Sequence, residues 1–548
     1  MIDEVLAHFP PGATPRLEQV RLLRGLADAV AEAWEDPGAP RVLLVEAPPG
    51  VGKSHVAMTL ARWSGDAYLL TSQKLLQDQY EREFGAELQL VKGRDNYRCE
   101  RYGDAHVPTS QGMCRRPRGP VCQCPYARAK AAALAGPIFC TNTVYFATLR
   151  QWHGEALRRR RLLIVDEAHN FESQLVGVVT VSFPGADMRA WFGAPLPRLD
   201  AANAYRPLME DHLVRLETRL RDVDGTLEAL RPPETASIDF LRMPPSGEEA
   251  ALLAERDTLE TALARIRFFV EGEEREWAVR YGAGADDALE LVPLSVAEPA
   301  AELLAECGEV VVLSSAFLGH RQAVAEHLGL TEDSVRVFRS GSPFELEQRP
   351  IVYRPVGRLS RATLAELEPA LFDEVAAILG RHAEDKGLIH AASYAAARRL
   401  MAGLAERAPR EFSRLISVDS SQAKLRALEL HRASPLPTVL VSPSLREGVD
   451  LPDDFLRFQV ITKMPYPDLG DPWTAARRAR DQRWYALETA KALVQAYGRS
   501  CRNADDHGTT YVLDAQFATF VQQYRVLLPE WFLDASEPAL RQQREREL

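Results

Sequence analysis

Short apolar runs bounded by Gly, Pro and polar residues recur along the chain, and stretches with helical spacing separate them. Arg41–Val45, Ala67–Ser72, Pro137–Asn142, Arg161–Val165 and Glu309–Leu313 read as buried strands. Residues 1–40 read as a helical lead-in, and Ser54 to about Trp63 and Gln73–Phe84 read as helices between the first strands. Residues 171–300 break this rhythm. Pro207–Leu230 and Gly247–Glu276 predict long helices, parted by the loops Arg231-Pro232-Pro233 and Met243-Pro244-Pro245-Ser246-Gly247. The strand pattern resumes at Glu309, so this stretch reads as a mostly helical insertion whose two ends rejoin one core. Gly341-Ser342-Pro343-Phe344 marks a boundary. Beyond it, Lys386–Tyr394 (strand, then turn), Pro437–Ser442 and Phe458–Thr462 predict a second α/β unit. No internal repeat or low-complexity tract appears.

A length of 548 residues allows about three or four domains, and 46% hydrophobic with 26% charged residues is ordinary for a globular chain. The net charge of −11 excludes a protein basic throughout, but nucleic-acid binding needs only a local basic groove. The acidic start Met1-Ile2-Asp3-Glu4 lacks a signal-peptide pattern, and no apolar run reaches the ~20 residues that span a bilayer. A cytoplasmic protein with no membrane association is expected, and in that compartment the seven cysteines are not expected to form disulfides.

The first strand runs into Ala47-Pro48-Pro49-Gly50-Val51-Gly52-Lys53-Ser54, and a helix follows. Strand, Gly-rich loop and helix form the context of a phosphate-binding P-loop. Gly50, Val51 and Gly52 can close backbone N–H groups around phosphate oxygens, and the helix N-terminus adds positive potential. Lys53 can reach the outer phosphates of ATP, and Ser54 can hold Mg2+. The usual first glycine of the motif is Ala47 here, while the Gly-x-Gly-Lys-Ser core is intact. Upstream, the bidentate amide of Gln19, spaced Arg16-x-x-Gln19, suits an adenine edge. Thr71 and Ser72 precede the next helix, where hydroxyls suit either a phosphate or a simple N-cap.

A second constellation follows the strand Arg161–Val165. Asp166 at a strand end can bind Mg2+ opposite Ser54, Glu167 can polarise an attacking water, and His169 can link the site to a neighbouring domain. The preceding Arg158–Arg161 run reads as a solvated helix end. Late in the chain, Gln495-Ala496-Tyr497-Gly498-Arg499-Ser500-Cys501-Arg502 sits on a predicted helix, with Arg499 and Arg502 on one face. Two such guanidiniums can reach a γ-phosphate across a cleft as arginine fingers.

Residues 92–130 differ in character from the rest. Nine basic residues (Lys92, Arg94, Arg98, Arg101, Arg115, Arg116, Arg118, Arg128 and Lys130) face three acidic ones, Asp95, Glu100 and Asp104. Cys99, Cys114, Cys122 and Cys124 lie within this stretch. Four thiols in a basic, Gly/Pro-rich loop with few apolar residues suit a metal ion or iron–sulfur cluster acting as the loop's core, and spacing does not decide between zinc and iron. Cys140 falls in an apolar strand and reads as a small core residue.

In their order and spacing these motifs resemble the XPD/DinG family of superfamily 2 iron–sulfur DNA helicases. The pieces are Arg16-x-x-Gln19, the P-loop, Lys92–Cys99, Cys124-Pro125-Tyr126, Asp166-Glu167-Ala168-His169, Ser342-Pro343-Phe344, Glu447-Gly448-Val449-Asp450, and Gln495–Arg502 with Asp505-Asp506-His507-Gly508. The resemblance implies an α/β chain of two RecA-like P-loop motor domains, an inserted iron–sulfur domain and an inserted helical arch domain. The expected boundaries are 1–91, 137–175 and 296–345 for the first motor domain, 92–136 for the cluster domain, 176–295 for the arch and 346–548 for the second motor domain. It implies ATP and Mg2+ as cofactors, with Lys53, Asp166, Glu167, Gln495, Arg499 and Arg502 in catalysis. Arg16, Gln19, Gly50, Val51, Gly52, Lys53, Ser54 and Asp450 would bind nucleotide, and Ser54 and Asp166 would hold Mg2+. Cys99, Cys114, Cys122 and Cys124 match the ligands of a [4Fe-4S] cluster, with zinc as the alternative.

The implied activity is a monomeric helicase that moves 5′→3′ on single-stranded and forked DNA, in DNA repair or replication. Two other readings share the same residues: a DNA-stimulated translocase that separates no strands, and a redox-sensing DNA-binding protein. The chain departs from the family's pattern in the tight Cys122-x-Cys124 pair and in Ser314-Ser315-Ala316-Phe317, where Ser-Ala-Thr is usual. No exonuclease-like stretch precedes Arg16, so the nuclease-fused members are not the expected template.

Overall fold

The structure is a computed structural model that describes residues 1–100, 107–112, 115, 123–152, 157–230, 245–272, 274–282, 288–420, 423–445, 451–499, 501 and 506–547. Five strands open the first unit: β1 (Val42–Glu46), β2 (Ala67–Thr71), β3 (Gln89–Leu90), β4 (Ile138–Asn142) and β5 (Arg160–Asp166). Then come β6 (Val181–Phe183), β7 (Trp277–Tyr281), β8 (Leu289–Pro293), β9 (Gly308–Ser315) and β10 (Val335–Arg339). The rest of the chain supplies β11 (Ile351–Gly357), β12 (Gly387–His390), β13 (Leu415–Ser417), β14 (Val439–Ser442), β15 (Phe458–Ile461) and β16 (Thr509–Asp514).

Two parallel sheets carry the fold. The first has the order β10-β1-β9-β5-β2-β4-β3 and the second β11-β16-β15-β12-β14-β13. The apolar runs are continuous because both faces of each central strand are covered. Leu44, Leu163 and Val165 enter the core on one side, and Leu43, Val45, Leu162 and Ile164 enter the core on the other. β9 lies between β1 and β5, and its register sets Ser315 beside Glu46 and Ser314 beside Asp166. The carboxyl ends of three strands therefore line up at one edge, where ligands of open α/β sheets bind.

Between β5 and β9 the chain builds the expected long helices, Arg206–Ala229 and Gly247–Glu271, packed in a core of their own. The second helix is shorter than its pattern predicts. It stops at Glu271, and Trp277–Tyr281 forms β7 in an antiparallel sheet ordered β6-β8-β7. Trp277, Val279 and Tyr281 alternate toward that core, a period of two hidden behind an acidic helical run. This segment also reaches the second unit. The two outer nitrogens of the Arg280 guanidinium edge, Nε and Nη2, lie 2.8 and 3.1 Å from the Asp471 carboxylate, and Trp473 Nε1 donates to Pro293 O at 2.8 Å.

The Arg158–Arg161 run is not a solvated helix end. Arg158 is exposed and pairs with Asp66, but Arg160 opens β5 and has no exposed surface. Its guanidinium donates to the carbonyls of Ala133, Leu134, Gly136 and Pro137, at the end of helix Pro125–Ala135, and to Ala67 O. A cation there offsets the orphan carbonyls and the negative pole of that helix.

In the second unit His431 is fully buried, with Nε2 2.9 Å from Phe455 O and Nδ1 2.9 Å from Thr438 Oγ1. A neutral imidazole satisfies both, Nε2–H donating and Nδ1 accepting. Burial lowers its pKa to about 4, against about 6.5 for an unfolded histidine. The folded state thus binds fewer protons between those values, so stability is whole above pH ~6.5 and falls toward pH ~4. Urea midpoints should decline over that window more steeply in the wild type than in His431→Gln; parallel slopes would refute the assignment.

Candidate functional site

The P-loop leaves β1 and bends through Gly50 and Gly52, whose φ values of +81° and +86° are left-handed. Glycine is required there because other residues strain in that region. At Gly52 a Cβ would also sit 2.3 Å from Gln19 Nε2. Helix Lys53–Ser64 follows, so its first N–H groups face the loop's concavity. Lys53 Nζ donates to Ala47 O at 3.1 Å, which folds the lysine back over the loop.

Arg16 and Gln19 brace this loop from behind. Arg16 Nη1 donates to Gly50 O at 2.5 Å and Gln19 Nε2 to Gly52 O at 3.3 Å, while Arg16 N donates to Gln19 Oε1 at 2.8 Å. In this conformation the Gln19 amide is buried and engaged with the P-loop backbone. Neither Thr71 nor Ser72 caps the next helix; Gln73 holds the N-cap position without a side-chain bond, and Thr71 Oγ1 donates to Gln73 O at 3.4 Å.

Asp166 and Glu167 stand across the cleft. Asp166 is buried; its Oδ1 accepts from Glu167 N at 3.0 Å and its Oδ2 from Tyr80 Oη at 2.9 Å. Glu167 takes a left-handed φ of 53°, rare for a residue with a side chain and typical of functional turns. Burial and then the Glu167 charge raise the Asp166 carboxyl. Burial also pushes Glu167 upward, but its contact with His169 and the charges of Lys53 and Arg499 carry it below the usual carboxylate range. The cleft encloses about 460 Å³, lined by Gln19, Gly52, Lys53, Ser54, Asp166 and Glu167 among others, with Pro452 from the second unit on its rim.

The second unit closes on this edge. His169 Nδ1 lies 2.8 Å from Ser315 Oγ, 3.3 Å from Glu167 Oε2 and 3.3 Å from Gln495 Nε2. One imidazole therefore joins the end of β9, the Asp166–His169 turn and helix Gln482–Tyr497 of the other unit. Just beyond, a Cβ on Gly498 would meet Pro49 Cγ at 2.7 Å, so glycine allows the helix end to touch the P-loop. Lys53, Ser54, Asp166 and Glu167 thus line one cleft. Gln495 reaches it through His169, and the charge of Arg499, which lies past the end of helix Gln482–Tyr497 and not on it, acts on Glu167. Asp450 and Arg502 lie outside the described residues.

Two residues at this edge escape a sequence reading. Tyr80 sits in an ordinary amphipathic helix. Glu46, the last residue of β1, is buried and accepts from Leu318 N and Gly319 N at 3.0 and 2.9 Å, with Arg339 Nε at 2.8 Å. A carboxylate ending an apolar strand was its only signal.

Cys99 and Cys124 are both buried, and Cys114 and Cys122 lie outside the described residues. The segments carrying the described pair are joined next door: Arg128 Nη2 and Nη1 lie 2.7 and 3.0 Å from the two Glu100 oxygens. Among the described residues no group of three or more His, Cys, Asp or Glu is placed to hold a metal. Cys140 is buried in β4 as expected. Several basic residues of this stretch have partners within the protein: Lys92 pairs with Asp78 and Glu81, Arg115 with Asp257 and Glu260, and Arg94 stacks on Tyr126 at 4.6 Å. Among the described residues no helix is long and apolar enough to cross a membrane.

A P-loop sheet and a second parallel sheet closing over one cleft define a two-unit P-loop architecture, and comparisons with known proteins narrow it. Residues 379–535 match the helicase C-terminal domain family. ATP-dependent helicase DinG of Mycobacterium tuberculosis is 27% identical over 463 residues, covering 74% of this chain and 65% of DinG's own length. A 92-residue stretch is 36% identical to the regulator of telomere elongation helicase 1 homolog of Drosophila melanogaster, covering 14% of this chain and 9% of that protein. Among solved structures, an XPD helicase superposes with a TM-score of 0.61 at 14% identity, covering 94% of this chain and 98% of its own. S. tokodaii Xpd4 gives 0.55 at 15% identity, with 94% and 98% covered. The chain is similar to DinG-type and XPD-type helicases, in line with the resemblance carried by its motifs.

Proposed function

We propose that the protein is an ATP-dependent DNA helicase that moves 5′→3′ along single-stranded DNA. The observation that carries this reading is one cleft in which P-loop Lys53 and Ser54 face Asp166 and Glu167 while Gln495 and Arg499 approach from the other unit. Lys53 holds the outer phosphates, Ser54 and Asp166 hold Mg2+, and Glu167 orients the attacking water. Bound Mg2+ supplies charge neutralisation at the phosphates. Gln495, Arg499 and Arg502 sense the γ-phosphate, so ATP favours a closed cleft and hydrolysis releases it. Arg16, Gln19 and Asp450 complete the nucleotide site; Gln19 would have to exchange its bond to Gly52 O for an adenine edge.

In this reading residues 1–91, 137–175 and 296–345 form one motor domain and 346–548 the other. Residues 92–136 form a cluster domain in which Cys99, Cys114, Cys122 and Cys124 hold [4Fe-4S], and residues 176–295 form the arch. Each cycle advances one strand past the cluster domain of a monomer working in the cytoplasm, in repair or replication. The test is strand displacement with ATP on duplexes bearing a 5′ or a 3′ single-stranded tail, using anaerobically purified protein of known iron and sulfide content. Opening of the 5′-tailed duplex alone is expected. Opening of the 3′-tailed duplex alone would discard the polarity, and ATP turnover without opening would favour a translocase.

A further inference from the structure

We infer that Tyr80 is a positioning residue for the Mg2+-binding carboxylate, an inference that rests on the ATPase reading of the cleft. Tyr80 lies on helix Lys74–Phe84 and is 1% exposed, with its ring against Phe84 and its hydroxyl on Asp166 Oδ2 at 2.9 Å. The other carboxylate oxygen is held by Glu167 N at 3.0 Å. The two bonds come from different elements and fix both oxygens. That matters because the terminal torsion of an aspartate has no sharp rotamer wells of its own. With the main-chain bond alone, the carboxylate would swing about one anchored oxygen.

Each oxygen keeps acceptor capacity after these bonds, so the pair of donors orients the group without exhausting it. Partners of this kind, one step back from a metal, commonly control affinity by 10–100-fold when removed. The anchor is itself fixed. Three residues earlier on the helix, buried Gln77 donates through Nε2 to Val91 O at 3.1 Å and accepts from Asn142 Nδ2 at 3.2 Å. The helix is thereby fastened to the far side of the first sheet, and Tyr80 carries that fixed position to Asp166. The same side chain also lines the nucleotide cleft, so it occupies space that solvent would otherwise share with the carboxylate.

Tyr80→Phe removes one oxygen and keeps the ring. Two readouts are used on the full chain: ATP turnover against free Mg2+, and the affinity of a fluorescent ADP analogue in Mg2+ relative to EDTA. In Y80F the half-saturating Mg2+ should rise about 10-fold or more. The advantage of Mg2+ over EDTA in analogue binding should shrink in step, with affinity in EDTA unchanged. Asp78→Ala removes one tie of the same helix, its pair with Lys92, and keeps the Tyr80 ring and hydroxyl, so its Mg2+ dependence should match the wild type. Unchanged Mg2+ dependence in Y80F, or an equal shift in Asp78→Ala, overturns the inference. A wild type that turns over no ATP brings down the ATPase reading itself, a different failure from wild-type turnover beside an unaltered Y80F.

Discussion

Lys53→Ala is expected to lower ATP turnover by about 10²–10³-fold or more while the fold persists, the scale seen when one preorganised charge donor is lost from a transition state. Lys53 is the first residue of its helix, bends back to Ala47 O at 3.1 Å, and is one of the charges that lower both Asp166 and Glu167. It serves two ends at once. In the proposed site it would offer a cation to the phosphates, and its charge works against the burial that raises the two adjacent carboxyls. Alanine removes both while leaving β1, the loop glycines and the helix untouched, and alanine is a good helix former. Steady-state hydrolysis with and without single-stranded DNA measures the loss, and thermal melting with far-UV circular dichroism checks the fold. Turnover within a few-fold of wild type would mean that the P-loop is not the hydrolytic site.

The cleft also explains how nucleotide could be felt elsewhere. Helix Gln482–Tyr497 carries Gln495 to His169 at one end. At its start, Asp481 caps it by accepting from Arg483 N at 2.8 Å and also meets His327 Nε2 at 3.0 Å. The preceding helix, Pro472–Arg480, holds the inserted segment through Asp471–Arg280 and Trp473–Pro293 O, and reaches the first unit through Arg477–Glu172 at 2.6 Å. The helix at the nucleotide edge and the inserted segment are thus two steps apart along one run of packed, ion-paired elements. Movement of one unit against the other would carry the insertion with it.

What the chain disclosed in advance was local. β1, the P-loop and its helix could be placed because a buried parallel strand is a contiguous apolar run and the loop needs glycine at fixed offsets. Asp166 to His169 stood out because carboxylates rarely end such a run. What remained hidden depends on distant partners. Glu46 pairs with Leu318, Gly319 and Arg339, and Tyr80 reaches Asp166 across the sheet. β7 hid behind an acidic stretch that continues the helical pattern, and its strand character shows only where β8 pairs with it. The basic stretch around the cysteines carries a large excess of cations by count, yet Lys92, Arg115 and Arg128 meet carboxylates of the chain itself. Charge counts cannot tell a solvated cation from a paired one.

Arg160 is the sharpest case of that ambiguity, and its loss should cost the most stability. Arg160→Met is expected to destabilise the first unit by about 3–5 kcal/mol, the range for breaking a buried charge network; both terminal nitrogens of the guanidinium are engaged, and Nε is not. The guanidinium has no exposed surface, stacks over Tyr68 at 4.6 Å, lies 3.4 Å from Asp66 and donates to five carbonyls. Four of those carbonyls belong to residues 133–137, where helix Pro125–Ala135 ends and the chain turns into β4. Methionine fills similar volume but donates nothing, so buried carbonyls would be left without partners at about 1–3 kcal/mol each where no water enters. Arg160→Lys keeps the charge but loses the planar fork, so it should fall between Met and the wild type. Because the chain has more than one unit, the observable is the first unfolding transition in urea, followed by fluorescence. A midpoint for Arg160→Met within about 1 kcal/mol of wild type would mean that Arg160 is a passenger. A large shift would identify this residue as the fastening between β5 and the helix that brings the chain back from the cysteine-bearing stretch.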